Sequence, residues 1–152
     1  MIGMGTVQQK AISAYELLMG SLDLGSFDNR LKFQKTIYLL KLFRIAPFQE
    51  LNFTWYKRGP YCFELGGILS KENVKSALPK QEKESILKYN KIIAELISDE
   101  KKAELISSVA FLAFDEKLSM DEVIKRMSLT KPWFKEYEVK ETLIKVKKIF
   151  TN

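Results

Sequence analysis

The chain has no histidine. That absence removes the usual general base, the serine and cysteine triads, and every zinc site that needs imidazole. A single cysteine, Cys62, excludes an internal disulfide and any cysteine-cluster metal site. Seven glycines and four prolines in 152 residues are too few for a linker protein, and 46% hydrophobic content is too apolar for a disordered tail. No uninterrupted apolar run approaches the ~20 residues of a membrane span; VAFLAF at 109–114 is among the longest. The N-terminal stretch is broken by Gln8, Gln9, Lys10 and Glu16, so it carries no apolar signal core. A free thiol with no targeting signal leads us to expect a cytoplasmic protein without a membrane partner.

The familiar phosphate-binding motifs are missing too. There is no GxxxxGK[ST], and Gly3-Met4-Gly5 lacks both a preceding strand and a third glycine. No cofactor is expected. Carboxylates on the stretches 82–104 and 115–141 alternate with lysines, the pattern of solvated helix faces supported by i, i+4 pairs.

What is present is a concentrated positive charge. Of a net +6, Asp28 to Tyr61 contribute +5: seven basic residues (Arg30, Lys32, Lys35, Lys41, Arg44, Lys57, Arg58) against Asp28 and Glu50. A local basic field of this kind steers a protein towards phosphates or an acidic partner, although solubilising lysines produce the same count.

Periodicity organises the chain into helices around one short β element. Val7, Ala11, Ile12, Tyr15 and Leu18 suit an amphipathic helix over 6–21, followed by a loop from Gly20 to Phe27. Asp28 or Ser26 then caps a helix running to about Phe43. Its apolar residues stand almost all round, with Arg30, Gln34 and Lys41 on one polar stripe, so it is expected to be the central helix.

Leu51, Phe53 and Trp55 alternate with polar neighbours, which predicts a strand with one buried face. Lys57-Arg58-Gly59-Pro60 is read as the turn that ends it, with a partner strand expected around Val74–Leu78. Helices are predicted over 82–97 and 100–114. A third opens with the capping box Ser119-Met120-Asp121-Glu122, and a last begins near Pro132 or Lys135.

Two residues invite a chemical role. Cys62 follows Lys57 and Arg58 near a helix start, which would favour a thiolate. Without a histidine base, however, a cysteine among Tyr61, Phe63 and Leu65 reads better as a small buried hydrophobe. Glu64 reads better as a helix-start carboxylate favoured by the dipole than as a buried functional acid. The densest cluster is Trp55-Tyr56-Lys57-Arg58-Gly59-Pro60-Tyr61. Basic residues between aromatics can stack bases and hold phosphates. The structural alternative is that Trp55 packs, Gly59-Pro60 turns the chain and Tyr61 covers the core.

Two stretches carry a resemblance. Arg30 to Lys41, RLKFQKTIYLLK, is similar to the R-x-K-L-Q-K-x-x-Y helix of the Panacea antitoxin-domain (SocA-like) proteins and their YwgA-like prokaryotic relatives. Phe53 to Tyr61 with Glu64-Leu65 resembles that family's F-x-W-Y-x-x-G-P-Y-S-x-E-L. Lys32, Gln34, Lys35, Tyr38, Trp55, Tyr56, Gly59, Pro60, Tyr61, Glu64 and Leu65 match the motif. Phe33 stands in place of Leu, and Cys62-Phe63 in place of Ser or Thr and its neighbour. The likeness covers residues 28–70, with fainter echoes at Glu104–Phe111 and Lys131–Phe134. It implies a role in neutralising toxins of prokaryotic toxin–antitoxin pairs.

The expected protein is one domain over 1–152, mainly α with a small β element. A winged-helix-like core over 1–80 is followed by a helical half over 81–152. It is expected to be a non-catalytic module, antitoxin-like or regulatory, that holds a protein partner such as a toxin; the alternative is a nucleic-acid-binding transcriptional regulator. Arg30, Lys32, Gln34, Lys35, Lys41, Tyr56, Lys57, Arg58 and Tyr61 would contact the partner or nucleic acid. Trp55, Gly59, Pro60 and Glu64 would shape the motif. Gln34, a polar group on a mostly buried helix, is expected to bond the Gly59-Pro60 turn.

Overall fold

The computed structural model describes residues 6–71 and 77–151. It is mainly helical with one small antiparallel hairpin, in the order α1 (Val7–Met19), α2 (Phe27–Leu42), β1 (Thr54–Tyr56), β2 (Gly59–Tyr61), α3 (Phe63–Gly66), α4 (Lys80–Leu87), α5 (Asn90–Leu96), α6 (Glu100–Ala110), α7 (Met120–Thr130) and α8 (Glu136–Phe150).

Local chemistry sets most of the helix starts. Thr6 and Gln9 form a reciprocal box at α1, and Ser119 and Glu122 form another at α7. In each, a hydroxyl accepts from the third helical N–H while the longer side chain accepts from the cap N–H. Ser26, rather than Asp28, caps α2: its Oγ accepts from Asn29 N–H at 3.3 Å, and Asp28 sits in the first turn where the helix dipole favours a carboxylate.

Helix α2 is the centre of the fold. Every residue from Phe33 to Leu40 is buried, and the helix packs on α1, α3, α6 and β2. The expected polar stripe of Arg30, Gln34 and Lys41 is therefore only partly wet, since Gln34 lies inside, as does Lys35 next to it in sequence. One hydrophobic cluster runs from Ala11 and Ile12 through Ile37 and Leu40 to Val109, Leu143 and Val146.

The β element departs from the expected one. Leu51 and Phe53 are buried and Trp55 half-buried, as the alternation predicts, but the partner of β1 is β2, with Thr54 opposite Tyr61, Trp55 opposite Pro60 and Tyr56 opposite Gly59. The turn is Lys57-Arg58 alone, and Gly59-Pro60 belongs to a strand. Residues 74–76 of the expected partner strand lie outside the described residues, and Ala77 and Leu78 are buried but in no strand. Proline is tolerated in β2 because its missing N–H costs nothing at an edge that, among the described residues, pairs with no third strand.

The helix expected over 82–97 is two. The chain turns at Lys88-Tyr89, where the Tyr89 ring stacks on Phe43 with 4.1 Å between centroids, while Ile86 and Ile93 are both buried on either side. Helix α6 ends at Ala110 and continues as a wider π turn over Phe111–Asp115. There Asp115 accepts from the Tyr38 hydroxyl at 2.6 Å. Burial pushes the Asp115 carboxyl up and the Tyr38 phenol well up, so each group holds its proton more tightly than in water.

Candidate functional site: a basic cleft beneath an aromatic hairpin

The hairpin is held from behind by side chains that take the place of a third strand. Gln34 Nε2 donates to Cys62 O at 2.9 Å, and Gln34 Oε1 accepts from Cys62 N–H at 2.8 Å. The side-chain amide thus pairs with the backbone amide as a neighbouring strand would. Lys35 Nζ donates to Pro60 O at 2.8 Å. The division of labour differs from the expected one: Lys35 bonds the Gly59-Pro60 segment, and Gln34 bonds Cys62. The physical reason is rotation by 100° per residue, which places consecutive α2 side chains at successive points along the strand.

Below the hairpin lies a buried charged group assembled from both halves of the chain. Lys35 is 1% exposed, Lys131 1% and Glu104 3%. Lys131 Nζ donates to Glu104 Oε2 at 2.8 Å and to Lys57 O at 2.8 Å, and sits 5.2 Å from the Trp55 ring centre. Arg58 Nη1 lies 3.8 Å from Glu104 Oε1. One carboxylate thus faces three cations, and Lys35 is the least compensated. Burial, then the nearby Lys131 and Arg58, bring its pKa down to about 7 despite Glu104. Gly59 is required where the hairpin meets α6. Its φ is +101°, and a Cβ there would stand 2.5 Å from Ser108 Oγ. That hydroxyl is itself buried and unbonded.

On the open side of Gln34 and Lys35 is a cleft of about 440 Å³. Its charged lining is Arg30, Lys35, Lys57 and Arg58, and among the described residues no carboxylate lines it. Its apolar lining comes from Phe27, Leu31, Phe33 and Leu65, with Tyr56 and Tyr61 on the hairpin side. Arg58 lies over the Phe27 ring, 5.6 Å from its centre. At the rim of the cleft, Tyr56 and Tyr61 join Phe63 in a ring cluster with centroids 5.0–5.8 Å apart. Phe63 is 63% exposed, and Phe27 and Tyr56 are exposed as well.

Seven of the nine expected contact residues therefore meet at one place: Arg30, Gln34, Lys35, Tyr56, Lys57, Arg58 and Tyr61. Two do not. Lys41 donates to Gln49 O at 2.9 Å and to Leu51 O at 2.8 Å, closing the 3-10 turn Phe48–Glu50 onto α2. Lys32 is half-buried outside the cleft, beside Glu100. Of the shaping residues, Gly59 lines the cleft, Pro60 supplies the carbonyl for Lys35, and Trp55 packs 6.0 Å from Phe111. Glu64 is exposed in the first turn of α3. Cys62 is fully buried, and burial pushes its thiol up, away from reactivity.

Glu104 and Lys131 are missing from the set expected from sequence. Glu104 lies in a stretch whose Glu/Lys alternation reads as a solvated face, yet it is buried. The available signal was apolar company: Ala103, Ile106 and Val109 share its burial on α6. Among the described residues no group of three His, Cys, Asp or Glu side chains could hold a metal ion, and no helix is long and apolar enough to cross a membrane. Comparison with protein-family models, curated proteins and solved structures finds no match to this chain.

Proposed function

We propose that this protein is a non-catalytic binding module, antitoxin-like or regulatory, that holds a protein partner on the face formed by the hairpin and the start of α3. The observation that carries the reading is the cluster of exposed Tyr56 and Phe63 around half-buried Tyr61, beside Lys57 and Arg58 and fixed from behind by Gln34, Lys35 and Lys131. Tyrosine and arginine on a rigid support are the residues that dominate protein interfaces, because they bury much area and lose little conformational entropy. The partner would bring an acidic, partly apolar surface. The likeness of residues 28–70 to Panacea antitoxin domains fits this reading, with a toxin as the partner.

A nucleic-acid-binding regulator is the second reading, favoured by basic and aromatic side chains interleaved on the same face. The two separate in a pull-down from native lysate with and without nuclease. A stoichiometric protein that survives nuclease, and is lost with Tyr56→Ala and Phe63→Ala, supports the protein-binding module. Recovery of nucleic acid alone, released steeply by raised salt, overturns it in favour of the regulator. The toxin identity is tested by expressing the neighbouring gene product alone and with this chain. Rescue of growth supports it, and a harmless neighbour overturns it.

A further inference from the structure

We infer that the cleft between α2 and the hairpin is a binding site for a small organic anion, one phosphate or carboxylate group carried on a flat apolar body. Three features define that chemistry. The first is charge: Arg30, Lys35, Lys57 and Arg58 line the cleft, and no carboxylate among the described residues does. Arg58 has Glu104 at 3.8 Å, but that carboxylate is already held by Lys131 at 2.8 Å, so the group as a whole is short of negative charge.

The second is an incompletely used donor. The buried Lys35 ammonium has three N–H groups and, among the described residues, one hydrogen-bond acceptor, Pro60 O. Buried donors are ordinarily satisfied, and an anion entering the cleft would supply both the missing acceptor and the missing charge. Its negative charge would also oppose the burial and, after it, the Lys131 and Arg58 charges that bring the Lys35 pKa down.

The third is shape. About 440 Å³ falls within the size range of small-molecule sites, and the walls offered by Phe27, Leu31, Phe33, Tyr61 and Leu65 are aromatic and aliphatic. A bare inorganic ion would leave those walls wet, whereas a ring would bury them. Tyr56, Lys57, Arg58 and Tyr61 border both the cleft and the hairpin face, but occupancy of the cleft does not require a partner, so a titration of the purified chain alone tests this site apart from the protein-binding reading.

The test uses the purified chain and four probes: 1-naphthyl phosphate, 1-naphthoate, the neutral 1-naphthol and inorganic phosphate. Calorimetric titration with amide NMR mapping reads affinity and place. The expected result is saturable one-to-one binding of at least one naphthyl anion, with naphthol and inorganic phosphate each about tenfold or more weaker, since a charge-assisted bond and ring burial each contribute on that scale. Amide shifts should centre on Gly59, Tyr61 and Gly66. The stronger of the two naphthyl anions identifies the head group. Arg30→Gln, at an exposed position whose side chain makes, among the described residues, one hydrogen bond, to Leu24 O at 3.4 Å, should weaken binding several-fold without unfolding the chain. Lys35→Met should do so more strongly. Absence of saturation by both anions up to about 1 mM overturns the assignment. Equal affinity for naphthol, shifts confined to another face, or binding unaffected by Arg30→Gln does the same.

Discussion

Lys131 Nζ lies 2.8 Å from Glu104 Oε2, with both side chains almost fully withdrawn from water. The pair joins the end of α7 to α6, and the same ammonium reaches the hairpin through Lys57 O at 2.8 Å. One buried cation thus ties the C-terminal half to the candidate binding face.

Breaking that pair on one side should be costly. Lys131→Met takes from the buried Glu104 carboxylate its one 2.8 Å partner among the described residues, leaving Arg58 at 3.8 Å and the nearby Lys35, and we expect a loss of about 3–5 kcal/mol. The double change Lys131→Met with Glu104→Met should be milder than Lys131→Met alone, because no buried carboxylate is left without its close partner. Urea denaturation of the single and double variants checks this, and a double variant less stable than both singles would contradict it.

Gln34 satisfies both backbone groups of Cys62. Gln34→Ala strands the buried Cys62 N–H, at about 1–3 kcal/mol for a group left unpaired, while Cys62 O keeps its bond from Gly66 N–H at 3.0 Å. The same change should raise hydrogen exchange at the Cys62 amide far more than at Leu40 in the middle of α2. Unchanged protection of Cys62 would show that another group holds the strand.

Lys35 makes stability depend on pH. Its folded pKa is brought down to about 7, well below its usual 10.5, first by burial and then by Lys131 and Arg58, with Glu104 opposing. Below pH 7 the amine is protonated in both states and the full cost of burying the charge is present. Between pH 7 and 10.5 the unfolded chain holds the proton and the folded one does not, so this residue's contribution to stability improves as pH rises. The stability gap between Lys35→Met and the native chain should therefore shift in the native chain's favour across that window. The slope is about 1.4 kcal/mol per pH unit at most, and groups common to both chains cancel. Chemical denaturation at pH 6, 8 and 10 measures it, and a flat difference would show that Lys35 stays charged.

Gly59 combines a positive φ with a close approach to Ser108 Oγ. Gly59→Ala should destabilise by about 2 kcal/mol or more, from the left-handed backbone and the clash together. Adding Ser108→Ala should restore only part of the loss, because it removes the oxygen and leaves the backbone strain. Full rescue would mean that the clash alone matters.

The helices were legible because their signals are local. The Ser119–Glu122 box, the stripe of Val139, Leu143 and Val146, and the all-round apolar α2 each need only a few neighbouring residues to be read. The hairpin was half legible. Leu51, Phe53 and Trp55 announced one strand, but Gly59-Pro60 resembles a turn until its register against Trp55 and Tyr56 is known. The break at Lys88-Tyr89 had no local marker, since it depends on Phe43 lying opposite Tyr89.

Most of the cleft was legible as well, because its basic and aromatic residues cluster at 30–35 and 56–61 and one helix and one hairpin bring them together. By itself the sequence determined the central helix, the basic concentration in residues 28–61 and the exclusion of histidine and cysteine-cluster chemistry. Only tertiary structure decided that Lys35, Lys131 and Glu104 are inside, that Lys41 closes a turn instead of facing a partner, and that Glu104 leaves its solvated-looking helix face. Burial of a charged side chain depends on which distant partner and which backbone carbonyl lie within hydrogen-bond reach, and a linear pattern of Lys and Glu does not encode those distances.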